Sequence, residues 1–308
     1  MNEMTTAEYR GYQQICGKDG AMMVVACDQR GAMRQLLADT DEARANISND
    51  DLGAVKGDIV SYLANHASSV LLDVACAVPR VVDKAELARD VALILGLDAS
   101  GYDETPEGYR LSRLVEGITA RRVRDLGGTA GKIMVYLRAD TPAANEANIA
   151  ILRHCIQDFA KENLLLVVEF LTYPLPGESK AEYQTAIPGL IVEGSRICLE
   201  CGAKVLKIPY PGTPEACAQV TKISGNVPWA VLSAGVDHET FLLQVEIAMA
   251  NGASGVIAGR SLWKDCIALD RDVARERLTG KALPRLRQMQ SVVGAHMAAR
   301  AGNTPLEA

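Results

Sequence analysis

The chain has 308 residues, 48% of them hydrophobic and 23% charged, with a formal net charge of −6 at pH 7. That balance is the one a globular domain of the α/β barrel size shows, and the acidic excess argues against general nucleic-acid binding, which needs a basic face. No run of about 18 uninterrupted apolar residues is present to cross a membrane, and residues 1–5 lack the basic start and apolar core of a secretory signal, so a cytoplasmic location is expected.

Short apolar runs alternate with longer amphipathic stretches along the whole chain. Strands are predicted over 22–27, 70–72, 91–97, 133–137, 164–168, 205–208, 229–232 and 255–258. These runs are continuously apolar rather than alternating, as in parallel strands buried on both faces. The third is the weakest, because 87–97 also fits a helix. Helices are predicted over 146–162, 187–201, 214–222 and 238–251, with Gly202 and Gly252 placed as left-handed caps after two of them. Residues 99–110 are rich in Gly, Ser, Asp and Pro and read as a long loop, a candidate lid.

Eight strands with intervening helices predict a (β/α)8 TIM barrel, one domain over 1–308 with short helical extensions at both ends. The rival, a doubly wound open sheet, calls for a Gly-rich turn after the first strand, and Asp28-Gln29-Arg30 stands there instead. The eight cysteines are scattered singly except for Cys198 and Cys201. That pair lies in a predicted helix with no second pair at zinc spacing, so reduced structural thiols are expected. His66, His154, His238 and His296 form no ligand pattern, and Trp229 and Trp263 read as packing groups.

Polar residues terminate the runs. Asp28, Gln29 and Arg30 follow the first and Asp73 the second; Glu169 ends the fifth and Lys207 lies on the sixth. Ser233 and Gly235 follow the seventh, and Gly259 and Arg260 the eighth. In a (β/α)8 barrel the carboxyl ends of the strands share one mouth, so these groups converge. Lys132 precedes its run and reaches that mouth only if its strand starts elsewhere. A lysine desolvated at a barrel mouth is a nucleophile towards carbonyls, and a neighbouring ammonium assists by repulsion. Lys207 is the candidate, an ordinary strand-end lysine the plain alternative; Lys204, three residues earlier, reads as solvated. Glu169, embedded between apolar residues, is a general acid/base, the partner of Lys132 in a buried ion pair, or both. Asp28 either orients substrate or caps a helix over 31–37. Small residues after strands seven and eight, with Arg260, suit a phosphate. Tyr173 reads as a half-buried loop tyrosine within reach of the site.

The segments Ala26-Cys27-Asp28-Gln29-Arg30-Gly31-Ala32-Met33, Leu71-Leu72-Asp73, Gly101-Tyr102-Asp103, Lys132-Ile133-Met134, Val168-Glu169-Phe170-Leu171-Thr172-Tyr173, Val205-Leu206-Lys207, Leu232-Ser233-Ala234-Gly235-Val236 and Ala258-Gly259-Arg260-Ser261-Leu262-Trp263 together resemble the class I tagatose 1,6-bisphosphate aldolase family, which includes the sulfofructosephosphate aldolases. The resemblance spans about residues 20–264. It implies a (β/α)8 fold and metal-independent, cofactor-free Schiff-base cleavage of a phosphorylated sugar. By position, Lys207 forms the imine and Glu169 is the acid/base. Lys132 and Asp28 assist proton transfer and orient hydroxyls, while Ser233, Gly235, Gly259 and Arg260 hold the dihydroxyacetone-phosphate phosphate. Gln29, Arg30 and Asp73 are assigned to the substrate, and a homo-oligomer is expected. The chain departs from the family after Lys207, where Ile208-Pro209-Tyr210-Pro211 lacks an acidic residue before the proline. A tagatose 1,6-bisphosphate-like ketose giving dihydroxyacetone phosphate and glyceraldehyde 3-phosphate is the leading reading. Sulfofructosephosphate cleavage to sulfolactaldehyde and a non-catalytic sugar-phosphate sensor are the alternatives.

Overall fold

A computed structural model describes residues 3–302. Its strands are β1 (Met22–Ala26), β2 (Ser69–Asp73), β3 (Ala92–Gly96), β4 (Asp103–Glu104), β5 (Arg110–Leu111), β6 (Ala130–Tyr136), β7 (Leu165–Leu171), β8 (Leu206–Pro209), β9 (Trp229–Leu232) and β10 (Gly255–Ala258). Eight of these close into a barrel in the order β1-β10-β9-β8-β7-β6-β3-β2, every neighbouring pair parallel, while β4 and β5 form a separate antiparallel hairpin. The expected (β/α)8 TIM barrel is the fold.

Alternate residues of each strand face the barrel interior. Met22, Val24 and Ala26 of β1 pack there with Leu71, Ile94, Ala130, Leu165, Val167, Ala230 and Ile257, and with Val205 just before β8. The N-terminal helix (Thr6–Ile15), held by a Thr5/Glu8 capping box, closes the lower end and inserts Ile15 and Tyr12 against this cluster. The opposite face of each strand packs on the surrounding helices, among them Asn49–Tyr62, Glu146–Lys161, Lys180–Glu200 and His238–Ala250. Gly255 shows how closely the strands approach: its φ is +142°, and a Cβ there would lie 2.2 Å from the Met22 carbonyl oxygen.

Six local expectations are settled or changed. Residues 92–96 are strand, because they pair on both sides, with β2 and β6. β6 begins at Ala130, three residues before the predicted start. Ala130 and Gly131 are too small to mark an apolar run, yet the barrel needs them small: a Cβ on Gly131 would lie 2.3 Å from the Phe159 ring. The helix predicted from 187 begins at Lys180, capped by Ser179 and Glu182, and carries Pro188 inside it. Lys204 is not simply solvated; its ammonium binds Glu8 Oε2 at 2.6 Å and ties the N-terminal helix to the barrel. Gly202 and Gly252 take the positive φ expected of them. Both tryptophans are buried, the indole of Trp263 donating to the Ala26 carbonyl at 3.0 Å and that of Trp229 to Thr221 Oγ1 at 3.0 Å.

Candidate active site

The inward parity that carries apolar residues low in the barrel carries charges at its mouth. On β6 the inward positions are Ala130, Lys132 and Met134; on β7 they are Leu165, Val167 and Glu169; Lys207 is the inward residue of β8. Asp28 and Asp98 continue the inward parity of β1 and β3, each two residues past its last strand position. The early start of β6 makes Lys132 an interior residue opposite Gly96 and Val167, which resolves its awkward place in the sequence. Gly96 has no side chain, and a Cβ there would already touch the Asp28 side chain, its Cβ at 3.6 Å and its Oδ2 at 3.7 Å. The gap above Gly96 is where Asp28 meets Lys132.

These groups form one buried network. Lys132 Nζ lies 2.8 Å from Asp28 Oδ2, 2.7 Å from Asp98 Oδ1 and 3.1 Å from Glu169 Oε2. The same Glu169 oxygen accepts from Lys207 Nζ at 2.8 Å. Lys132, Glu169 and Lys207 are all buried, so each charge is retained only through its partners. Burial opposes the Lys132 charge, but the carboxylates of Asp28, Asp98 and Glu169 outweigh it and hold the ammonium well above the usual lysine range. Burial likewise opposes ionisation of Asp28, yet the Lys132 and Lys207 ammonium groups hold its carboxyl well below the usual range. Asp98 moves the other way: burial pushes it up, helped against Lys132 by the neighbouring Asp28 and Glu169 charges. Asp28 Oδ1 is buried without a hydrogen-bond partner, and so is Gln29 Oε1. Two open acceptors therefore face the mouth region.

Asp28 does not cap the helix Gly31–Leu37; the N-cap is Arg30, which makes no side-chain cap bond. Arg30 turns towards β3, donating to the Asp98 carbonyl at 2.7 Å and to Ser100 Oγ at 3.0 Å, with Asp73 at 3.8 Å. The Asp73 carboxylate is already engaged, one oxygen by the buried ammonium of Lys56 and the other by the amides of Ala75 and Cys76 at 2.9 and 2.7 Å.

Across the barrel, the ends of β9 and β10 bring Ser233, Gly235, Gly259 and Arg260 together. The Gly259 amide donates to Ser233 Oγ at 3.4 Å. Gly235 has φ +85°, and a Cβ on it would lie 3.1 Å from the Arg260 guanidinium carbon. A Cβ on Gly259 would lie 3.0 Å from the Ala26 carbonyl and 3.5 Å from Gln29 Nε2. Bare backbone, a guanidinium and an amide side chain thus meet at one turn, as an anion requires.

Two participants escape a reading of the sequence. Asp98 ends the third run in the inward parity, a signal the other run ends carry too. Lys56 lies on the apolar face of the helix Asn49–Tyr62, four residues from Leu52 and from Val60, a spacing that marks a buried position. Among the described residues, no group of three or more His, Cys, Asp or Glu is arranged to hold a metal ion; the three carboxylates here converge on an ammonium.

A family model for the DeoC/LacD family aldolases matches residues 22–265. The chain is 26% identical over 292 residues to the tagatose 1,6-diphosphate aldolase of Listeria monocytogenes serotype 4a, covering 87% of this chain and 84% of that one. With the enzyme of the same name from Staphylococcus aureus (strain bovine RF122 / ET3-1) the identity is 28% over 301 residues, covering 87% and 90%. Among solved structures, an archaeal fructose 1,6-bisphosphate aldolase superposes with TM-score 0.63 at 21% identity over 93% of this chain and 98% of that chain, a likeness of fold. A match running from the first barrel strand to beyond the last, on relatives of nearly the same length, leaves one assignment: the chain belongs to the DeoC/LacD family of aldolases, enzymes of the lyase class.

Proposed function

We propose that the protein is a class I aldolase that cleaves a phosphorylated ketose, of the tagatose 1,6-bisphosphate type, to dihydroxyacetone phosphate and an aldehyde such as glyceraldehyde 3-phosphate. The observation that carries this reading is the Lys207 amine buried at the barrel mouth, 2.8 Å from a Glu169 oxygen that Lys132 also holds. The names of the relatives at 26% and 28% identity support the choice of ketose.

The chemistry follows from that placement. The neutral Lys207 amine attacks C2; the carbonyl oxygen takes up two protons, one from the attacking nitrogen and one from an acid, and leaves as water, giving a protonated imine. Glu169, in contact with Nζ, is positioned to accept the lysine proton before attack and return one to the departing oxygen. A base then takes the C4 hydroxyl proton, the C4–O bond becomes a carbonyl, and the C3–C4 electrons pass into the imine as an enamine. Protonation at C3 and hydrolysis release dihydroxyacetone phosphate. Lys132, held as an ammonium, fixes the Glu169 and Asp28 carboxylates through every step. Asp28, held as a carboxylate with one oxygen open, orients a substrate hydroxyl by accepting from it. The turn with Ser233, Gly235, Gly259 and Arg260 receives the C1 phosphate, with Gln29 beside it.

Borohydride reduction in the presence of dihydroxyacetone phosphate tests the reading. A mass adduct on the peptide carrying Lys207, absent from Lys207→Met, is expected. No adduct, an adduct on another lysine, or activity abolished by EDTA would overturn it.

A further inference from the structure

Above the ends of β3, β6 and β7 sits an arginine surrounded by tyrosines. The Arg110 guanidinium carbon lies 4.3 Å from the ring centre of Tyr102, 5.0 Å from that of Tyr173 and 5.5 Å from that of Tyr136. The rings brace one another edge-on, Tyr102 to Tyr136 at 5.2 Å and Tyr136 to Tyr173 at 6.0 Å. The backbone of Arg110 is pinned from below: its amide donates to Tyr173 Oη at 3.2 Å, and its carbonyl accepts from Asn148 Nδ2 at 2.8 Å. Yet the half-buried guanidinium has no carboxylate or carbonyl partner among the described residues. Arg138, on the same side of the barrel, is the contrast, its donors taken up by Asp140, Glu178 and the Tyr173 carbonyl. Cation–π contacts fix where the Arg110 fork stands and leave its N–H groups free for an anion.

Its position around the ring gives that anion a meaning. In the barrel order, the β3–β6 side is diametrically opposite the β9–β10 side. Between the two, on β7 and β8, lie Glu169 and Lys207, with Lys132 on β6 itself. Tyr136 is the inward position of β6 above Met134, the residue paired with Glu169, so the cage borders the carboxylate network. The charges of Asp98 and Glu169 are felt at the Tyr136 phenol, which burial first of all pushes up. The three mouth carboxylates would repel a second anion on this side unless a cation met it there.

We propose that Arg110, held in the Tyr102–Tyr136–Tyr173 cage, binds the distal oxyanion of the ketose, the group at the end remote from the C1 phosphate. The proposal rests on the aldolase reading and names the specificity residue of that same site. It also accounts for the hairpin β4–β5, which carries the distal-anion receptor to the mouth. A phosphate and a sulfonate share the chemistry that a guanidinium fork recognises.

The test runs the reaction in the aldol direction, with dihydroxyacetone phosphate and three acceptors: glyceraldehyde 3-phosphate, sulfolactaldehyde and uncharged glyceraldehyde. In the wild type, whichever anionic acceptor is turned over best identifies the oxyanion. In Arg110→Met, which keeps the apolar stem, kcat/KM for that acceptor is expected to fall about 100-fold, the scale of removing one partner of a desolvated charge pair. For glyceraldehyde the fall should stay within about threefold, since no charge is lost to it. Arg110→Lys, with charge but no fork, should fall between the two. Borohydride trapping of dihydroxyacetone phosphate on each variant reports whether fold and imine site survive. Equal losses for charged and uncharged acceptors, or no loss for either, with trapping intact, would overturn the Arg110 assignment alone. Absence of trapping in the wild type would overturn the aldolase reading, and this one with it.

Discussion

The lower and upper halves of the barrel interior are built on the same strands in the same parity, a few residues apart, and contain opposite chemistry. Below, Met22, Val24, Leu71, Ile94, Ala130, Leu165 and Ile257 make an apolar plug against the N-terminal helix. Above, Asp28, Asp98, Lys132, Glu169 and Lys207 make a buried charge network. The plug stabilises by ordinary removal of apolar surface from water. The network does not: a cluster of buried charges at best offsets its own desolvation, and well-packed apolar residues would do as well for stability. Under the proposed function, its retention at one end is a cost tied to reactivity. The contrast also separates the two lysines. Lys132 faces three carboxylates, whereas Lys207 contacts the one Glu169 oxygen that Lys132 also holds.

Lys132→Met strikes the network where its contribution to order is greatest. Three carboxylates, Glu169 buried and Asp28 and Asp98 largely so, would lose their common cation, at an expected cost of about 3–5 kcal/mol at neutral pH, with turnover lost as Glu169 and Asp28 move. The pH dependence carries the sign. Asp28 has a depressed pKa in the folded protein, so its stabilisation is complete above the unfolded value of about 3.9 and is lost as pH falls through the lower folded value. In the variant the main opposing cation is gone, and protonating the crowded carboxylates relieves it. The gap in Tm between variant and wild type should therefore be widest near pH 7 and narrow towards pH 4. A gap that stays constant with pH would mean that Lys132 acts through packing alone.

Leu165→Ala strikes the other half. Leu165 is buried at the bottom of β7, next to Ala130 in register and against Gly11 of the N-terminal helix. The cavity should cost about 3 kcal/mol in a denaturant titration, comparable with Lys132→Met at neutral pH but flat between pH 4 and 7. Activity per folded molecule should change by no more than a few-fold, because the mouth is built from positions further along the strands. A loss of kcat/KM as large as that of Lys132→Met would erase the division between the halves.

How much of this division is legible in the sequence depends on side-chain size. Continuous runs such as Leu164 to Val168 announce buried parallel strands, and a charge directly after or within them, such as Glu169 or Lys207, stands out against apolar neighbours. Where a strand begins on small residues, as β6 does at Ala130-Gly131, periodicity has nothing to register, and Lys132 is displaced from the interior on paper. Asp98 follows Gly96 for the same reason: the glycine that leaves room for the carboxylates also weakens the run that would point to them. The tyrosine cage is out of the sequence's reach, because Tyr102, Arg110, Tyr136 and Tyr173 meet only once three strands and a hairpin are folded together. The hairpin itself reads as plain loop, its two-residue strands being too short to show alternation.

The smallest expected effect sharpens the comparison most, because it concerns an ion pair in the lower half. Lys204 lies three residues before Lys207, and its ammonium binds Glu8 Oε2 at 2.6 Å while remaining partly exposed. Glu8 keeps a second partner, the Thr5 amide at 2.6 Å, so Lys204→Met leaves no wholly unsatisfied carboxylate. The expected loss is about 1 kcal/mol, the upper end for a partly exposed pair, read as a small shift in Tm. Imine trapping and kcat/KM should stay at wild-type values. Two lysines on one short segment, each 2.8 Å or less from a glutamate, would then differ completely in consequence. What separates them is the end of the barrel each occupies: at the closed end the pair only fastens a helix, and at the open end a carbonyl can reach the amine.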